Sequence, residues 1–271
     1  MLSEMTLATL EMERRLEAFF GRSDLKPGAY DEPEFSELEK SDPTILDAYA
    51  QYVLAREHTK KEGQRIRKVV RSLVKRFVAD VDAAALRRRC DRATYALLKM
   101  LEALDVWAFA VNGSLCVQLP PEVEPEPQFF SIHSVHSGPN YIPGHFWLVV
   151  PPYQVVDISA RHQDWEPDKE RFIDPAILLA NARIAPPMAR LHSDPEVRHQ
   201  YPPLSFEPYQ RFWRWLPPVA AQVGSVFLQY QPYAVRVPPP EETLEALPIS
   251  VNGLNLREYL ETVVQPQLPR G

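Results

Sequence analysis

The stretch Gly144-His-Phe-Trp-Leu-Val-Val-Pro-Pro-Tyr-Gln-Val-Val-Asp-Ile-Ser159 holds two short apolar runs, HFWLVV at 145–150 and QVVDIS at 154–159. Between them stands Pro151-Pro152-Tyr153. Runs of this length, rich in valine and aromatics and bounded by proline, read as β-strands, and the Pro-Pro-Tyr break reads as the turn of an antiparallel hairpin. Such a hairpin sets His145, at the start of one strand, near Asp157, towards the end of the other. A histidine beside a carboxylate is two-thirds of a nucleophilic triad. The carboxylate accepts from one ring nitrogen and leaves the other to face a thiol or hydroxyl.

Working upstream, FFSIHSV at 129–135 reads as another strand, and PPEVEPEP at 120–127 as an extended exposed loop. The runs 106–111 and 115–119 flank Asn112-Gly113, a strong hairpin signal. Before them the pattern is helical. Ala93, Ala96, Leu97, Met100, Leu101 and Leu104 mark one amphipathic helix over 91–104, and Ile66, Val69, Val70, Leu73, Val74 and Phe77 mark a second. Asp42-Pro43 looks like a cap followed by proline at a first helical position, after a break over 26–43. Leu7, Leu10, Met12 and Leu16 suggest a helix near the amino end. Downstream, the expectation is a short helix at 175–182, an aromatic stretch YQRFWRWL at 209–216, strand-like runs at 225–230 and 233–237, and a helix over 254–264. The fold class is α+β. Three regions are expected: 1–85 helical, 86–165 a sheet-bearing core, and 166–271 a proline- and aromatic-rich extension packed on that core.

Cys90 stands where the helix of 91–104 begins, after Arg87, Arg88 and Arg89 and before Arg92. The positive end of the helix dipole and the neighbouring guanidiniums both favour a thiolate there. Cys90, His145 and Asp157 are therefore candidates for nucleophile, base and orienting carboxylate. The Cys90 backbone N–H is a candidate oxyanion donor, with Tyr141 and Gln118 as side-chain candidates. Trp147 and Tyr141 are candidate substrate contacts, with Trp147 expected to pack under the triad. Cys116 sits in an alternating strand and is read as packing.

CDRATYALLKMLEAL at 90–104, leading into VWAFAVNG, resembles the nucleophile helix and first strand of the transglutaminase-like superfamily, which has the papain-like cysteine protease fold. GHFWLVV followed by QVVDIS is similar to that family's Gly-His-x-Trp strand and Asp-bearing strand. The likeness covers about residues 86–160. It implies thiol-dependent acyl transfer or hydrolysis of an amide or ester, as a peptidase, deamidase or acyltransferase, with no cofactor. Where the family has glycine two residues before its cysteine this chain has Arg88, and Phe146 stands where a small residue is usual. No calcium-ligand run is present.

Composition narrows the rest. The 271 residues carry a net charge of -6, so no global basic field draws the chain onto nucleic acid. Two cysteines make no disulfide framework, which suggests a reducing, cytoplasmic setting. No signal peptide is read at the amino end, and no apolar run approaches the roughly 18 residues of a membrane span. The 28 prolines against 9 glycines predict stiff connections. A rival metal reading would use His133, His136 and His145 with Asp157, though no HExxH helix motif is present. Between Lys60 and Arg92 twelve basic residues face four acidic ones, an excess of eight that leaves -14 on the remainder. The alternative function is accordingly a non-catalytic interaction module with a degenerate fold, binding an acidic partner through its basic helices. Peptide, protein or small amide or ester substrates are the expected partners of the enzyme.

Overall fold

The structure is a computed structural model that describes Arg14 and residues 25–42, 44–56, 58–130, 144–163, 165–166, 168–187 and 207–268. The expected helix near Leu7–Leu16 lies outside these residues. Five helices come first: α1 (Pro33–Ser41), α2 (Ile45–Ala55), α3 (Lys60–Asp80), α4 (Ala83–Leu86) and α5 (Cys90–Ala103). The long α3 forms for the reason its sequence gives. Ile66, Val69, Val70, Leu73, Val74 and Phe77 make one buried stripe, and the Thr59 hydroxyl caps its start by accepting from the Glu62 N–H at 3.2 Å. In α5 the stripe is Ala93, Ala96, Leu97, Met100 and Leu101. The break expected over 26–43 contains α1 instead, opened by Pro33 at its first helical position and buried through Phe35. Against expectation, Asp42 is not the cap of the next helix; that helix begins at Ile45 with Thr44 at its N-cap, and the Asp42 carboxylate accepts the Thr44 N–H at 3.0 Å just ahead of it.

The strands are β1 (Phe109–Gln118), β2 (Gln128–Phe130), β3 (His145–Val150), β4 (Tyr153–Asp157), β5 (Ile177–Leu179), β6 (Arg183–Ile184), β7 (Val219–Val223) and β8 (Val226–Arg236), with α6 (Glu207–Trp213) before β7 and α7 (Leu256–Tyr259) near the end. They form one curled antiparallel sheet in the order β5-β4-β3-β1-β8-β7-β6, with β2 also on β1. The fold is thus α+β. Among the described residues no helix is long and apolar enough to cross a membrane.

Three further expectations are corrected. Asn112-Gly113 makes no hairpin; β1 runs straight through it. A Cβ at Gly113 would run into the Gln231 carbonyl and into the Trp147 ring, 2.5 Å from Cη2. The glycine serves close approach between strands, not a turn. The runs 225–230 and 233–237 are one strand, β8, with Pro232 at a register shift opposite Asn112/Gly113, a place where a strand tolerates a residue without an N–H. The helix expected at 175–182 is instead β5, where Ile177, Leu178 and Leu179 add an edge to β4.

The expected hairpin is present: β3 and β4 pair through Leu148↔Val156, and the Pro151–Pro152 bond at its turn is cis. Helix α5 lies against β3, Tyr95 meeting Phe146 edge-on at 5.9 Å, while Tyr49 and Tyr52 of α2 pack on Trp107 ahead of β1. One core cluster runs from Ala29 to Val264, so the strands after residue 165 complete the same sheet as those before it.

Candidate active site

His145 opens β3 directly after Gly144, whose φ of 104° turns the chain into the strand. Alternation places His145, Trp147 and Val149 on one face. The Leu148↔Val156 pairing sets Asp157 across from Trp147, and so on the same face, diagonal to His145. The contact follows: His145 Nε2 lies 2.6 Å from Asp157 Oδ2, with both side chains wholly buried.

The carboxylate is held from every side. The Tyr230 hydroxyl donates to Oδ2 at 2.9 Å. Oδ1 accepts from the Ser159 N–H at 2.8 Å, the Ala160 N–H at 3.0 Å and the Ser159 hydroxyl at 3.1 Å. This is an Asx turn, the Asp side chain satisfying backbone two residues on. Burial alone would raise Asp157, but the charge and hydrogen bond of His145, with the Ser159 and Tyr230 bonds, hold it below its usual 3.8. For His145, burial pulls the imidazole down, while Asp157 and then Cys90 outweigh it and bring it up to about 10.

Cys90 is the first residue of α5 and is 9% exposed. It lies near enough to His145 to favour the protonated imidazole together with Asp157. The three sequence-predicted residues therefore converge. The segment before Cys90 is anchored to the one after β4, because the Arg88 N–H donates to the His162 carbonyl at 3.1 Å. The Cys90 N–H belongs to the first turn of the helix, where N–H groups have no acceptor within the helix.

Trp147 is 2% exposed and stacks on His145, ring centroids 6.3 Å apart at 21°. Tyr230 meets it edge-on at 5.2 Å. The two rings wall the imidazole. Away from it they line an apolar cavity of about 200 Å³ closed by Leu54, Trp215, Leu216 and Pro232. Gln118, the side-chain oxyanion candidate, is committed elsewhere: its amide donates to the Leu119 and Glu124 carbonyls at 3.1 and 3.3 Å. Tyr141, His133 and His136 lie outside the described residues, and among the described residues no group of three His, Cys, Asp or Glu could hold a metal ion. Cys116 is buried in β1, and burial pushes its thiol up to about 12.

The sequence reading missed Tyr230, Ser159 and Gln163. Gln163 Nε2 lies 3.2 Å from His145 Nδ1 and 3.2 Å from the Ser159 carbonyl. Asp-Ile-Ser is a local turn signal that could have found Ser159. Nothing local marks Tyr230, brought in by β8 from 73 residues beyond Asp157. On the basic helix α3, Arg65 donates to the Leu104 and Asp105 carbonyls, Arg71 to the Tyr153 hydroxyl, and Arg76 pairs with Asp80, while Lys60, Lys61, Arg67, Lys68 and Lys75 are exposed. Comparison of the chain with models of known families, with curated proteins and with solved structures finds no match.

Proposed function

We propose that the chain is a thiol-dependent acyltransferase or hydrolase of transglutaminase-like type, acting on an amide or ester through Cys90, His145 and Asp157. The observation that carries this reading is the buried His145–Asp157 pair, whose imidazole the helix-opening Cys90 also helps to keep basic. Further support comes from the chain order Cys, His, Asp with the last two on adjacent strands. The backbone two residues before Cys90 adds to it. Arg88 holds a left-handed φ of 56°, the conformation that favours the glycine of the resembled family.

Each side chain has a defined task. Cys90 gives its proton to His145, and the sulfur attacks the carbonyl carbon. The C=O π pair moves to oxygen, facing the Cys90 N–H at the positive end of α5. As the adduct collapses, the bond to the leaving nitrogen or oxygen breaks and that atom takes the proton from His145. The thioester left on Cys90 is attacked by water or an amine, which loses its proton to His145 as the sulfur departs. Asp157 remains ionised throughout and holds the ring in its working tautomer.

Intact-mass analysis after exposure to 4-nitrophenyl acetate tests this. The wild-type chain is expected to gain one acetyl group on Cys90, removable by hydroxylamine, and Cys90→Ser and His145→Gln to lose it. Acetylation that is unaffected by either change would overturn the reading. It would favour the interaction module, whose one support is the exposed cationic row on α3.

A further inference from the structure

We propose that the apolar cavity beside Trp147 and Tyr230 is a binding site for an uncharged, ring-sized apolar group, and that its occupancy is felt at Asp157. The first half stands on the cavity alone; the second rests on the triad reading above.

The cavity holds about 200 Å³. An apolar void of about 150 Å³ stays dry and takes up benzene, so this one admits a single ring or a fused pair such as indole. Floor and rim differ. Trp147, Val149 and Tyr230 are buried, whereas Leu54, Trp215 and Leu216 are half-buried, so the rim is the side a ligand reaches first. The walls are stiff. Four prolines and four aromatic rings line the space, and such side chains have few rotamers with which to collapse into it. Phe212 further holds Trp215 with ring centroids 4.5 Å apart. The space is therefore pre-formed, which lowers the cost of filling it.

The lining also sets the chemistry. Three of its side chains carry oxygen, and each is engaged elsewhere. The Tyr153 hydroxyl accepts from Arg71 Nε at 3.1 Å, Gln154 Oε1 accepts the Ala182 N–H at 2.7 Å, and the Tyr230 hydroxyl donates to Asp157 Oδ2 at 2.9 Å. Among the described residues no carboxylate or ammonium group lines the cavity. A charged group placed there would lose water and gain no counter-charge. Tyr230 is the link to the triad. Its ring lines the cavity, and its hydroxyl holds the carboxylate oxygen that meets His145. A ligand packed on that ring favours one of its positions, and so acts on the pair.

Titration calorimetry with indole tests the site on the full chain. One indole per chain is expected, with the thermal midpoint raised by about 3 °C or more at ten times the dissociation constant. Tryptamine and indole-3-acetate, each charged, should bind at least about tenfold more weakly. Leu54→Trp at the rim and Val219→Phe at the wall each put a ring into the void, and each should weaken indole binding by about tenfold or more. No uptake by wild type would overturn the site, as would undiminished uptake by whichever filled variant melts like wild type. The second readout is the rate at which iodoacetamide labels Cys90. Saturating indole should shift it at least about fivefold in wild type but not in Tyr230→Phe, which keeps the ring and lacks the hydroxyl. An unchanged wild-type rate, or an equal shift in both, would overturn the coupling. With 4-nitrophenyl acetate as the reagent, competition by indole would assign the site to the substrate's own apolar group, and a changed maximal rate to a separate molecule. If Cys90 is labelled no faster than Cys116, the triad reading fails, while the indole titration still decides the site.

Discussion

Five donors converge on the two oxygens of Asp157: the Ser159 and Ala160 N–H groups, the Ser159 and Tyr230 hydroxyls, and His145. A carboxylate so surrounded stays ionised even though it is wholly buried, and its charge in turn supports a protonated imidazole. Tyr230→Phe removes one of these donors without opening a void. It is expected to cost about 1–2 kcal/mol at pH 7, read by urea denaturation. The sign of its pH dependence is fixed. Asp157 titrates below 3.8 in the folded chain, so its contribution is present above that value and is lost as pH falls through the lower folded value. The gap between wild type and Tyr230→Phe should accordingly narrow in acid. At this scale the sequence shows His145 and Asp157, because a hairpin makes them neighbours within 12 residues, and Cys90, because a helix start is a local pattern. It does not show Tyr230 or Gln163, whose contacts with Asp157 and His145 exist only after the chain has closed.

Among the elements, legibility follows the range of the deciding contact. β3 is read correctly over 145–150 because its apolar run is bounded by Gly144 and Pro151. Asn112-Gly113 is misread because the local hairpin signal competes with a distant cause, the Trp147 ring and the Gln231 carbonyl crowding the glycine from two neighbouring strands. The split of β8 is misread for the complementary reason: Pro232 looks like a breaker until the register shift opposite Gly113 gives it a place. One glycine thus ties β1, β3 and β8 at the point where His145 pairs. Gly113→Ala is predicted to destabilise the fold by about 2–4 kcal/mol, since a methyl group must displace backbone or the Trp147 ring. It should also slow alkylation of Cys90, because Trp147 walls the imidazole. Thermal unfolding and labelling kinetics on the same sample check both effects; a variant as stable as wild type would contradict the close approach.

Across the whole molecule, the site is assembled from three distant parts of the chain. The helix start at Cys90, the β3–β4 hairpin and the middle of β8 meet because β8 crosses back to pair with β1 at the centre of the sheet. A fold built on that non-local pairing gives its sequence reader the pieces and withholds their arrangement. It also separates the two cysteines chemically. Cys116 is a strand residue whose burial pushes its thiol up to about 12, while Cys90 neighbours a histidine that Asp157 keeps basic. Site-resolved alkylation tests that difference most directly: iodoacetamide at limiting stoichiometry and pH 7, followed by peptide mapping, on wild type and on His145→Gln. The triad predicts that Cys90 is labelled at least about 100-fold faster than Cys116 in wild type and loses most of that advantage in His145→Gln. Equal slow labelling of the two cysteines, or a Cys90 rate indifferent to His145, would contradict it.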